Sequence, residues 1–396
     1  MVSLVRNAFN AQFTLQKYQA YLDELNGLHP GEIQFRVAET PIFVDGEFTQ
    51  KIIEACESIV DVIVKPDFKA MTEASIPDEI RMPGENDHSE FIAFDFGICS
   101  NSSGGLEPQL IEMQGFPSLF AYQVWHTAVT KKHFPPPVDF DAYLGGFEEK
   151  TYTELLKQII IGRHKPEEVI LLEIYPEEQK TRIDFWCTKD YVGIETVCLT
   201  KLKADGNSLY YEKNGVRQDV KRIYNRLIFD DLQQQKLPES TIDLKKPWQV
   251  EWCPHPHWFY RISKYTLPFI DSPYVPKTVF LSDLDAIPTD LENYVLKPLF
   301  SFAGQGVVID LTAADIEAIN DRHNWILQRK VQYAEAIVTP DEPAKAEIRI
   351  FYFWPEGSKR PFAAQNLARL SKGKMIGVRY NKDKEWVGGS LAFFQQ

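Results

Sequence analysis

Residues 294–310 read YVLKPLFSFAGQGVVID. An apolar strand here delivers Lys297 into a pocket, and the loop after it carries Gly304 and Gly306. Glycines without side chains let backbone amides come close to a phosphate. A lysine at a strand end beside such a loop can neutralise phosphate oxygens while the loop closes over them. The order GxxxxGK[ST] and the helix that follows it are absent, so this is not a Walker A loop. The same residues also suit a hairpin turn with a solvated lysine, and the neighbouring segments have to choose between the two.

On the C-terminal side, WILQRKVQYAEAI (325–337) is expected to be a strand that turns polar at Gln328 and runs on to Glu335. In an adenine site the backbone of such a strand, here Gln328, Lys330 and Val331, pairs with the base edge while Glu335 takes ribose hydroxyls. An amphipathic edge strand would read the same way. On the N-terminal side, Lys264 lies in HPHWFYRISKY (255–265). Two lysines arriving from different elements suit the phosphates of ATP, although Lys264 is equally compatible with a surface helix.

Farther out, TLQKYQAYLDELNGL (14–28) and FTQKIIEACESIVDVIV (48–64) place apolar residues three and four apart, so 1–90 is expected to be a helical subdomain. EFIAFDFGIC (90–99) alternates like a strand, NSSGG (101–105) turns, and QLIEMQGF (109–116) resumes strand character, which predicts a hairpin over 91–124. A helix is expected from Pro117. The segment 125–250 reads as an α/β lobe: a helix at 148–161, strands at VILLEIY (169–175), RIDFWCT (182–188), ETVCLTKL (195–202) and VKRIYNRLIF (220–229), and a hairpin within 198–217. The remainder, 251–396, holds the Lys297 strand, a helix at ADIEAINDR (314–322), and the strands AEIRIFYFW (346–354) and KMIGVRY (374–380).

The 396 residues are 44% apolar and 25% charged, ordinary for an ordered chain of two or three packed lobes. A net charge of −13 argues against a broad nucleic-acid surface, so any polyanion must be met by a local basic pocket. No apolar run reaches about 18 residues, and MVSLVRNAFNAQF lacks a leader pattern, so a cytoplasmic protein without membrane contact is expected. The five cysteines are widely spaced with no Cys-x-x-Cys pair and are expected to be reduced and buried. His255 and His257, two apart near Cys253, could face one way and hold zinc, but core or turn histidines are the commoner outcome.

The order of Lys264, the Lys-Pro pair with its glycine loop, the Gln328 strand and a Glu/Arg strand resembles the ATP-grasp fold. More narrowly, it resembles the circularly permuted carboxylate–amine ligases, which include eukaryotic-type glutathione synthetase and glutathionylspermidine synthetase. The resemblance implies an α/β (α+β) ATP-grasp fold in circularly permuted order, with ATP and Mg²⁺ as cofactors and a small-molecule carboxylate and amine as substrates. The family's metal-binding pattern maps onto Asp95, Glu112 and Gln114, with Pro117 and Ser118 following, and hairpin pairing would set Asp95 opposite Glu112. Gln114 stands where the family has Asn, and Ser301 where it has a metal-binding Glu, so Glu347 or water would complete the shell. By the same resemblance Arg369 holds a substrate carboxylate and Lys372 meets ATP. Arg349 is a further catalytic candidate, which shares a strand face with Glu347 and could instead pair with it. The implied reaction runs through an acyl phosphate, with positioned cations carrying the charge of the transferring phosphoryl group. The alternative is a catalytically degenerate nucleotide-binding or scaffold protein, suggested by Ser301. The oligomeric state is left open, a homodimer included.

Overall fold

A computed structural model describes residues 1–396 except 230, 231, 233, 234, 301–305, 374, 375 and 377–380. Its centre is an antiparallel sheet of five strands in the order Gly388–Ser390, Phe362–Ser371, Lys345–Phe353, Phe91–Ser100 and Leu106–Gln114. The expected hairpin forms its last two strands. That hairpin pairs through Phe91–Ser100 with Lys345–Phe353, in a register that sets Asp95 against Arg349 and Gly97 against Glu347.

Alternation sends the two halves of the Phe91 strand to opposite faces. Ile92, Phe94, Phe96 and Ile98 pack against the helix Gly46–Ile63, whose Phe48, Ile52, Cys56, Ile59 and Ile63 line its inner stripe. That helix starts at Asp45, whose carboxylate accepts from the Phe48 amide. Phe91, Phe351, Phe353 and Leu367 face the other way, toward Phe120 and Tyr152. At Asp95 this second face changes from apolar to charged.

The α/β lobe is a parallel sheet ordered Glu251–Cys253, Arg222–Asn225, Val169–Glu173, Glu195–Cys198. The helix Glu149–Ile161 appears where expected. RIDFWCT does not form a strand: Ile183–Val192 is a helix. It connects two strands that pair in parallel, Val169–Glu173 and Glu195–Cys198, and a parallel pair needs a crossover, for which a short apolar run serves as well as for a strand. The strands expected over 195–202 and 220–229 are shorter, ending at Cys198 and Asn225. The hairpin expected within 198–217 is part of a three-stranded meander, Lys203–Asp205, Ser208–Lys213 and Val216–Val220.

A third sheet joins Thr278–Phe280, Trp325–Arg329 and Tyr294–Pro298. The strand expected through Val331 stops at Arg329, and the chain crosses to the central sheet, where Cys99 bridges Tyr333. The helix expected over 314–322 is only Ala313–Glu317, and six of the seven residues of the expected KMIGVRY strand lie outside the described residues. The chain ends also meet: Ile42–Val44 pairs in parallel with Ala392–Gln395. No helix among the described residues is long and apolar enough to cross a membrane.

Phe94 is fully buried between sheet and helix, so Phe94→Ala is expected to cost about 3–5 kcal/mol. Urea unfolding followed by tryptophan fluorescence reads that loss, and a change below about 1 kcal/mol would contradict this core.

Candidate functional site

The charged end of the second sheet face collects side chains from four strands. Asp95, 1% exposed, is bound by both arginines on its flank. Arg349 donates Nε to Oδ1 and an NH2 nitrogen to Oδ2 at 2.6 Å, and Arg369 donates to Oδ2 at 2.6 Å. Arg349 also reaches Ser118 Oγ at 3.1 Å. Arg369 spans from Asp95 to Glu347, whose Oε2 lies 2.8 Å away, and the other oxygen of Glu347 accepts from the Tyr333 hydroxyl. Glu112 faces Asp95 across the hairpin, as expected from alternation, with an irregularity in register just beyond.

Burial alone would raise the Asp95 carboxyl, but Arg349 and Arg369 outweigh it and hold the group below the usual carboxylate range. For Glu347 burial wins: Arg369 offsets it only partly, the Asp95 charge adds to it, and the carboxyl sits above its ordinary value. Arg369 loses solvation as well, yet Asp95, Glu347 and Glu112 raise it, so it stays protonated.

Lys297 enters from the neighbouring sheet. Its ammonium donates to Gln328 Oε1 at 2.6 Å and to the Ile111 carbonyl at 3.4 Å. Gln328 is itself fixed by a 3.0 Å bond to Thr278 Oγ1. Burial, and then the nearby charge of Lys264, lower Lys297 to about 8, against the opposing pull of Glu112 and Glu347. The charge of Lys264 thus bears on Lys297 from a separate element. Lys264 is buried at the start of a 3₁₀ turn, Lys264–Phe269, capped by Ser263, and is not a surface helix residue.

The other expected residues are placed less centrally. Gly306 has φ +75°, and a Cβ there would stand 3.0 Å from Pro298. Val308 bridges Leu296, so the chain does fold back on its strand. Gly304 and Ser301 lie outside the described residues. Lys330 and Val331 fall past the strand end and Glu335 is exposed. Lys372 is paired with Asp341 at 2.5 and 2.6 Å. Arg349 and Glu347 share a face as expected but do not pair with each other, since each takes a partner on an adjacent strand.

Among the expected metal ligands, Asp95 is disqualified by its surroundings: both its oxygens receive guanidinium protons. Glu347 is likewise committed on both oxygens. Glu112 is the one carboxylate of the set without a hydrogen bond or ion pair to a described residue, with Gln114 two positions on. Hard-cation sites need several free oxygens, so this set does not fit a divalent cation held by Asp95 and Glu347. No group of three His, Cys, Asp or Glu among the described residues has metal-holding geometry. His255 and His257 are in contact, but their ring nitrogens go to the Pro83 carbonyl, the His257 and Met82 amides, and Glu85. All five cysteines are free and buried.

Tyr333 and Gly97 escaped the sequence reading. A Cβ on Gly97 would lie 2.8 Å from the Tyr333 ring, so glycine is what lets Tyr333 cross the strand and reach Glu347. A glycine inside an otherwise apolar strand was the available signal.

No protein-family model and no curated protein matches the sequence. Among solved structures, a glutathione synthetase-like effector (GSS30) from Globodera pallida, in its apo form, aligns over 97% of this chain and 98% of its own. The TM-score is 0.58 at 11% identity. The chain thus has a mixed α/β fold of the glutathione synthetase-like kind over essentially its whole length.

Removing the Asp95 carboxylate would leave two guanidinium groups facing each other in a buried site. Asp95→Ala is therefore expected to cost about 3–5 kcal/mol in urea unfolding. Because the folded carboxyl is lowered, its stabilisation is present above the unfolded value near pH 4 and lost as pH falls through the folded one. The difference between wild type and Asp95→Ala should accordingly shrink in acid, and a difference that grew there would refute the assignment.

Proposed function

We propose that this chain is a nucleotide-binding protein with a circularly permuted ATP-grasp architecture, in which Lys264 and Lys297 hold the triphosphate of ATP. The observation that carries the reading is the buried Lys297 ammonium, held by Gln328 where the chain folds back on its strand, with its pKa lowered by burial and then by the charge of Lys264 from a separate element. Burial and a neighbouring positive charge disfavour the protonated Lys297, and a polyphosphate bound against it would favour that form. The glutathione synthetase-like fold supports the same reading. In this arrangement Gln328 positions Lys297 through its side chain.

Carboxylate–amine ligation is the second reading, favoured by the two arginines gathered at Asp95. A carboxylate would attack the γ-phosphate to give an acyl phosphate, and an amine would displace the phosphate. Arg369, 38% exposed and the more open of the two, is the group that an acceptor carboxylate would meet, provided it leaves Asp95. Phosphate release over a panel of acids and amines separates the readings: turnover selects the ligase, and ATP binding without turnover selects the nucleotide-binding protein.

Lys297→Ala is expected to weaken ATP binding about ten- to a hundredfold by isothermal titration calorimetry, the range for one charge-assisted contact. Unchanged affinity would refute the reading. The free Lys297 ammonium gives up its proton near 8, whereas bound phosphate would retain it. Binding therefore takes up a proton above that pH, and affinity is expected to fall between pH 7 and pH 9 in wild type but not in Lys297→Ala.

A further inference from the structure

We infer that Arg369 serves as a built-in cation in this cleft, so that the nucleotide binds as a free anion with no divalent metal required. The inference rests on the nucleotide-binding reading above and concerns what neutralises the charges around the phosphates.

One terminal nitrogen of Arg369 stands 2.6 Å from Asp95 Oδ2 and 2.8 Å from Glu347 Oε2. It thus joins carboxylates from two neighbouring strands, reaching past the Glu347 strand to Asp95 on the strand beyond, as a bridging cation would. The register explains how: Arg369 is opposite Glu347, Glu347 is opposite Gly97, and Asp95 lies two residues before Gly97 on the same face. Because Gly97 has no side chain, the Tyr333 ring fits against the strand there and its hydroxyl takes the remaining oxygen of Glu347.

The charge count agrees. Asp95, Glu112 and Glu347 are met by Arg349, Arg369 and Lys297, so no surplus of carboxylate is left over. A metal site works by such a surplus, which attracts the ion. A divalent cation entering here would have to expel a guanidinium from a buried pair or sit beside it with like charge. The Arg369 Nε is buried without a partner among the described residues, so this guanidinium has hydrogen-bonding capacity left over.

The test is calorimetric titration of the whole chain with ATP, once with Mg²⁺ and once with excess EDTA. Dissociation constants within about threefold of each other are expected. Binding with Mg²⁺ that weakens more than tenfold in EDTA would overturn this inference and leave the nucleotide reading standing. No binding in either buffer would overturn the nucleotide reading and this inference with it. Arg369→Met frees both carboxylates, and its ATP affinity should drop at least tenfold in EDTA and recover on adding Mg²⁺. If that variant keeps wild-type affinity in both buffers, Arg369 is not the cation. Mn²⁺ titration of the wild-type chain without nucleotide, followed by electron paramagnetic resonance, does not depend on any variant: micromolar binding would overturn the inference, and its absence up to millimolar Mn²⁺ is expected.

Discussion

A carboxylate taken out of water is tolerable only if fixed positive charge surrounds it, and at Asp95 two guanidinium groups do so. This requirement ties together three strands from distant parts of the sequence, because Asp95, Arg349 and Arg369 can meet only in one register of the central sheet. A slip of one residue would turn all three to the face packed against the helix Gly46–Ile63, where Phe94, Ile348 and Ile350 now lie. The apolar face and the charged face thus specify the same alignment.

The cleft beside this cluster is electrostatically unusual for an acidic protein. The chain carries a net charge of −13, while the charged end of the central sheet sets Arg349 and Arg369 among Asp95, Glu112 and Glu347, with Lys297 entering from the neighbouring sheet. Lys297 registers the consequence in its lowered pKa, which reflects lost solvation and the charge of Lys264. The likeness to a glutathione synthetase-like effector extends over nearly the full length of both chains, so the sheet that carries this cluster belongs to a fold shared with that protein.

Much of the site could be read in the sequence because it depends on short-range rules. Strand alternation and a Ser/Gly turn were enough to set Asp95 opposite Glu112. The proximity of Lys264 and Lys297 was legible only as an order of motifs. What each side chain would touch was not legible. Asp95 was expected to offer oxygens to a metal and instead spends them on arginines, and Gln328, read only for its backbone, holds Lys297 with its side chain. Both outcomes turn on strands that pair across some 250 and 30 residues respectively, and no local pattern encodes such pairings.

The amino-acid sequence by itself determined the hairpin, the capped helix Gly46–Ile63, the Lys297 strand and the absence of any structure built on cysteine pairs, because each follows from periodicity, capping or composition within a few residues. Tertiary structure alone decided that Ile183–Val192 is a helix, that the Trp325 strand ends at Arg329, and that Arg369 lies between two acids. Each of these was settled by competition for partners: a parallel sheet needing its crossover, a chain leaving one sheet for another, and buried charges taking the nearest opposite charge once solvent was gone.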